Sequence, residues 1–145
     1  MTRIALFGAG GKMGRRLSRN LMNTEFEVSH VEVAPAARKA LQDELGVQCI
    51  EPGQALTNAA AVVLAVPDRL IGKIMAEYID QLSPGTLVVV LDAAAPFAGA
   101  MPRRSDIPLF ITHPCHPPLF SDESDPEVRK DFFAVSYTHL RAHET

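Results

Sequence analysis

Two hydrophobic rhythms alternate along the first hundred residues. Short unbroken apolar runs give way to stretches in which apolar positions recur every three or four residues. The runs read as buried strands and the recurring stretches as amphipathic helices. Residues 3–7 (RIALF) form the first run, which ends at glycines. Residues 12–22 follow as a helix, with Met13, Leu17 and Leu21 on one face and Arg15, Arg16 and Arg19 elsewhere. Residues 27–33 read as a second strand. Pro35 suits the first turn of the next helix, whose apolar face is Ala37, Ala40, Leu41 and Leu45. Gly46 closes it, and residues 47–50 predict a short third strand.

The run over 60–66 (AAVVLAV) is apolar throughout, as expected of a strand covered on both faces. Pro67 and Asp68 open a helix in which Leu70, Ile71, Ile74, Met75, Tyr78, Ile79 and Leu82 keep helical period. A turn at Ser83-Pro84-Gly85 leads into another buried strand over 86–92, and residues 109–112 predict one more. Strand and helix alternate through residue 92. Right-handed crossovers then give an α/β fold, a doubly wound, mostly parallel sheet of Rossmann type. No repeat of solenoid period and no low-complexity tract interrupts it.

The first strand–helix turn, Gly8-Ala9-Gly10-Gly11-Lys12-Met13-Gly14, narrows the chemistry. It reads as G-x-x-G-x-x-G on Gly8, Gly11 and Gly14, with Gly10 as an extra glycine. Gly8 allows a tight turn, Gly10 and Gly11 let the backbone approach a pyrophosphate, and Gly14 lets the helix pack on the sheet. The N–H groups that open the helix would face the phosphates. Glu32 ends the second strand eighteen residues past Gly14, the context that a dinucleotide site requires. Its carboxylate suits the ribose hydroxyls of NAD and repels a 2′-phosphate, which favours NAD over NADP. Arg38 lies near enough in sequence to leave NADP open. The bland alternatives are a ligand-free turn and a solvated strand end.

Pro67 and Asp68 fall at the carboxyl end of their strand, the edge where such sheets bind ligands. Pro67 would line the cofactor channel. Asp68 either contributes to the site or only caps its helix. Asp92 either touches substrate or caps a turn.

Residues 111–120 (ITHPCHPPLF) follow the last strand and should sit on the same edge. Pro114, Pro117 and Pro118 exclude a helix interior and favour polyproline II, with about three residues per turn. That geometry puts His113 and His116 on one face, a candidate pair of ligands for zinc or a similar divalent metal. Two ligands are too few for a catalytic zinc. Asp122 and Glu123 lie close by. The competing readings are histidines that bond backbone around a stiff loop, a Cys115 nucleophile, and Cys115 as a small packed residue.

Totals exclude more than they select. The chain has 145 residues, 47% hydrophobic and 21% charged, with a net charge of −3. These values suit one globular domain and argue against a nucleic-acid partner. No apolar run reaches the length of a membrane span. The chain enters a strand pattern at once, which leaves no room for a signal peptide. Two cysteines make no disulfide framework, so the expectation is a cytoplasmic protein with free thiols. Residues 135–145 (VSYTHLRAHET) resemble translated sequencing-adapter read-through. They are set aside as a non-native tail, along with their helically spaced pair His139 and His143. The domain is thus expected to span residues 1–134, with the natural chain cut near Ala134.

GAGGKMG, Glu32, LAVPD (64–68), LDAAAP (91–96) and HPCHPPLF (113–120) together resemble the D-apionate oxidoisomerase family, whose members are also labelled semialdehyde or 6-phosphogluconate dehydrogenase-like. The glycine turn alone is similar to that of dihydrodipicolinate reductases; HPCHPPLF is the specific part. The resemblance covers residues 3–134, the amino-terminal half of such a protein. It implies an NAD-dependent oxidoreductase that oxidises and rearranges a branched sugar acid, D-apionate to 3-oxo-isoapionate, with a divalent metal, zinc by preference. Carried over, Gly11, Lys12 and Met13 contact cofactor phosphates, Glu32 the ribose, and His116 the metal. It also implies a helical second domain, absent here, with a homodimer through that domain as the candidate assembly and an inactive fragment as the consequence. Two alternatives stay open: another NAD(P)-dependent hydroxyacid dehydrogenase or reductase, and an NAD(H)-sensing regulatory domain without catalysis.

Overall fold

A computed structural model describes residues 1–112 of the chain. Five parallel strands form one sheet: β1 (Arg3–Phe7), β2 (Glu27–Val31), β3 (Ala61–Leu64), β4 (Leu87–Val90) and β5 (Leu109–Ile111). Their order is β2-β1-β3-β4-β5. Leu6 pairs with His30 on one side and Val63 on the other, so β1 is central. The chain winds outward from β1 to β2, then crosses back to β3. That reversal is the topological switch point of an open α/β sheet, where ligands bind beyond the strand ends.

The helices are α1 (Lys12–Leu21), α2 (Pro35–Leu45), α3 (Pro52–Leu56), α4 (Asp68–Tyr78) and α5 (Ala94–Phe97). They cover both faces of the sheet, as the doubly wound reading expects. On one face Ala5, Phe7, Val62, Leu64, Val88 and Val90 meet Leu56 of α3 and Ile71 and Met75 of α4. On the other, Leu6 and Val63 meet Leu17 of α1 and Leu41 and Leu45 of α2. β1, β3 and β4 are covered on both faces, which explains their nearly unbroken apolar sequence. Pro35 stands at the start of α2, and Gly46 caps its end in the left-handed conformation at φ 67°. The amide of Gly46 bonds the Gln42 carbonyl at 2.8 Å.

The predicted strand over 47–50 is reduced to one bridge, His30 with Cys49. The Ile50 amide bonds the His30 carbonyl at 2.9 Å. The chain enters α3 at Pro52 straight after this contact, which ends the pairing. Two short helices were not anticipated. In α3, Pro52 sits in the first turn and Ala55 and Leu56 are buried. In α5, the Asp92 carboxylate accepts the Ala94 amide at 2.7 Å, so Asp92 caps a turn.

Candidate functional site

The glycine turn is built by steric exclusion. Gly8 leaves β1 at φ 74°, a backbone conformation that side chains resist. A Cβ there would also stand 2.3 Å from the Ala65 carbonyl oxygen at the end of β3. At Gly14 a Cβ would stand 1.9 Å from the Gly8 oxygen, so α1 lies directly on the turn. Gly10 departs from its expected role. Its missing Cβ makes room for α2, since Ala37 Cβ would be 2.7 Å away. Gly11 is the least crowded glycine of the turn: a Cβ there would meet the Gly8 oxygen at 3.3 Å, a tight contact, and the residue is exposed. Close approach of a ligand to bare backbone is therefore possible at Gly11.

Backbone bonds hold the turn to β2. The amides of Gly8 and Ala9 both donate to the Val31 carbonyl, at 3.0 and 3.1 Å. The Gly11 amide donates to the Gly8 carbonyl at 3.1 Å. Gly11 is the N-cap of α1 and supplies no side-chain acceptor to the first turn. The opening amides of α1, from Lys12 onward, are thus left for an external acceptor, with the positive end of the helix dipole behind them. Lys12 is exposed beside them, and Met13 is half-buried. Arg15 and Arg19 face away from the turn, paired with Glu44 of α2.

Glu32 closes the site on the β2 side. It is 9% exposed, and its carboxylate accepts three backbone donors. Oε2 accepts the Gly10 amide at 3.0 Å; Oε1 accepts the amides of Val33 and Ala34 at 2.9 and 3.0 Å. The Gly10 contact was not foreseen. Arg38, which left NADP open, is committed elsewhere. Its Nε donates to the Glu32 carbonyl oxygen, and its Nη2 reaches Glu51 at 3.3 Å.

Val66, Pro67 and Asp68 border the turn from β3, and Val66 Cγ1 would be 2.8 Å from a Gly8 Cβ. Pro67 and Asp68 are both exposed. The cap of α4 is Pro67, not Asp68. Asp68 is the first helical residue, where its negative charge favours the helix dipole. The reason is local: the extended backbone at Pro67 already takes the cap position.

His30 escaped the sequence reading. Its place on β2, two residues before Glu32, puts it on the α2 face of the sheet. It is 7% exposed, and its Nε2 is buried without a hydrogen-bond partner among the described residues. Burial lowers its pKa, against a smaller upward pull from a bond to the Val28 backbone. Neighbouring Cys49 is free, and burial raises its thiol pKa, so it is no ready nucleophile. The candidate metal ligands His113 and His116, with Cys115, His139 and His143, lie outside the described residues. Among the described residues, no group of three or more His, Cys, Asp or Glu is placed to hold a metal.

A parallel sheet with a glycine turn, uncapped helix amides and an acid at the switch point defines a dinucleotide-binding oxidoreductase fold. Residues 3–96 match the family model described as NADP oxidoreductase, coenzyme F420-dependent, and the chain belongs to this family. It is 57% identical over 131 residues to the D-apionate oxidoisomerase of Cupriavidus necator, covering 90% of this chain and 48% of that protein. The D-apionate oxidoisomerase of Rhizobium rhizogenes is 55% identical, with 92% and 48% covered. A solved structure from Cupriavidus necator, a semialdehyde dehydrogenase NAD-binding protein in complex with calcium and NAD, superposes with a TM-score of 0.83 at 56% identity. That match covers 92% of this chain and 49% of the other. The chain spans about half the length of the curated relatives it matches.

Proposed function

We propose that this chain is the NAD-binding half of an oxidoreductase that converts D-apionate to 3-oxo-isoapionate. The observation that carries the reading is the Glu32 carboxylate, set beside the uncapped amides of α1 at the switch point. The amides from Lys12 onward and the bare backbone of Gly11 receive the pyrophosphate, with Lys12 adding a positive charge. Glu32 accepts the adenosine ribose hydroxyls and disfavours a 2′-phosphate. Pro67 and Asp68 flank the channel from β3. The bound nicotinamide supplies the hydride acceptor; this half of the protein orients it and holds its phosphates. The relatives named for D-apionate support the substrate. The structural neighbour solved with NAD supports the cofactor, although the family description names NADP.

The histidine pair extends the proposal. His113 and His116 follow β5 directly in sequence, and two imidazoles spaced in this way suit a divalent ion that polarises substrate oxygens. Residues 135–145 are read as foreign sequence, and the enzyme works in the cytoplasm. Among the described residues, no helix is long and apolar enough to cross a membrane.

The test is a fluorescence titration of the 145-residue chain with NADH and NADPH. NADH should bind below millimolar and more tightly than NADPH. Failure of both to bind removes the oxidoreductase reading. Zinc analysis of the uninterrupted enzyme should find one equivalent, lost in His116→Ala; retention excludes that ligand.

A further inference from the structure

Glu32 stands where a ribose acceptor should stand, yet its carboxylate already serves the protein. It joins two loops at the carboxyl edge of the sheet: Gly10 in the turn after β1, and Val33 and Ala34 in the link to α2. The turn's other ties to this region, the amides of Gly8 and Ala9 on the Val31 carbonyl, run through backbone alone. The tie from Gly10 is the one that depends on a side chain. Gly10 is buried and pressed against Ala37, so its amide has no route to solvent.

We propose that Glu32 is a positioning residue for the phosphate-binding turn as well as an acceptor for the adenosine ribose. One carboxylate thereby couples the shape of the amide cradle to the choice of sugar. This rests on the NAD reading above.

The coupling follows from donor and acceptor counting. Three backbone N–H groups converge on two carboxylate oxygens. A glutamine in the same place offers one acceptor oxygen and one donor nitrogen. At least one backbone N–H then faces an amino group, and a buried donor without an acceptor is costly. The turn relieves the conflict by shifting Gly10, and Gly11 and the first amides of α1 move with it. Removing the acid therefore weakens binding of NAD and NADP alike. It does not simply exchange one preference for the other.

The test uses ADP-ribose and an analogue lacking both hydroxyls of the adenosine ribose. Both are titrated calorimetrically into the 145-residue chain and its Glu32→Gln variant, with far-UV circular dichroism as the check on folding. An acid acting through the ribose alone cannot affect the dideoxy ligand. Positioning predicts that the variant binds the dideoxy ligand about tenfold more weakly than the unaltered chain, the scale set by one unsatisfied buried donor. Equal affinities overturn the proposal. If Glu32→Gln does not fold, Glu32→Asp is read with the same ligand pair, since its shorter carboxylate cannot span both loops. Amide hydrogen exchange at Gly10 separates the two layers of the argument. If the unaltered chain binds neither ligand, the NAD reading fails; faster exchange at Gly10 in the variant still upholds positioning, and unchanged exchange ends it.

Discussion

The centre of the sheet and its β5 edge are built to different standards. Around β1 the packing is tight: Ala5 and Leu6 are fully buried, and Gly8, Gly10 and Gly14 have no room for a methyl group. Around β5 the strand is exposed along its length, and Phe110 is 55% accessible. Phe97 of α5 is 93% accessible. The contrast separates a finished frame for a nucleotide from an edge left apolar.

The largest effect should come from the frame. Gly14→Val sets a branched side chain where a single Cβ already falls 1.9 Å from the Gly8 oxygen. The cost should be about 3 kcal/mol or more, since overpacking against backbone cannot be relieved by a rotamer change. Chemical denaturation measures it; a loss below about 1 kcal/mol would show that α1 lifts freely from the sheet. Leu6→Ala removes a fully buried side chain packed with Leu17 of α1 and Leu41 of α2 and should cost about 2–5 kcal/mol in the same measurement.

A smaller, conditional effect concerns His30. Its folded pKa lies below the unfolded value because burial penalises the charged ring. The folded state then binds fewer protons than the unfolded one. The neutral ring's contribution is intact above the unfolded pKa of about 6.5 and is lost as pH falls through that value toward the folded pKa. Melting temperatures between pH 8 and pH 5 should fall more steeply for the unaltered chain than for His30→Leu. Parallel curves would mean that the ring is solvated.

Much of the frame was legible before any coordinates, and the reasons are physical. Periodicity is local, so the runs at 3–7 and 60–66 and the helix after Asp68 declared themselves. The turn at Gly8 and the acid at Glu32 were readable because the chemistry needs those residue types in that order. What stayed hidden depends on pairs remote in sequence. Nothing near Gly10 shows that Ala37 will press on it or that Glu32 will take its amide. Nothing near residues 47–50 shows that they will yield one bridge rather than a strand. The apolar run in β5 reads as a buried strand, as β4 truly is, because sequence records hydrophobicity and not what covers it.

That last ambiguity supports the smallest predicted effect. Val90 of β4 is fully buried, whereas its neighbour in register, Ile111 of β5, is 43% exposed. If the open edge is unfinished within this chain, polar replacement there costs little folding energy. Phe110→Ser should change stability by less than about 0.5 kcal/mol, because a side chain already half in water loses few contacts. It should also reduce self-association, read by sedimentation at rising concentration, because the largest exposed ring of β5 is gone. A loss near that of Leu6→Ala would mean that Phe110 is covered in solution by another surface. The contrast between the centre of the sheet and its β5 edge would then describe the isolated chain and not the folded protein.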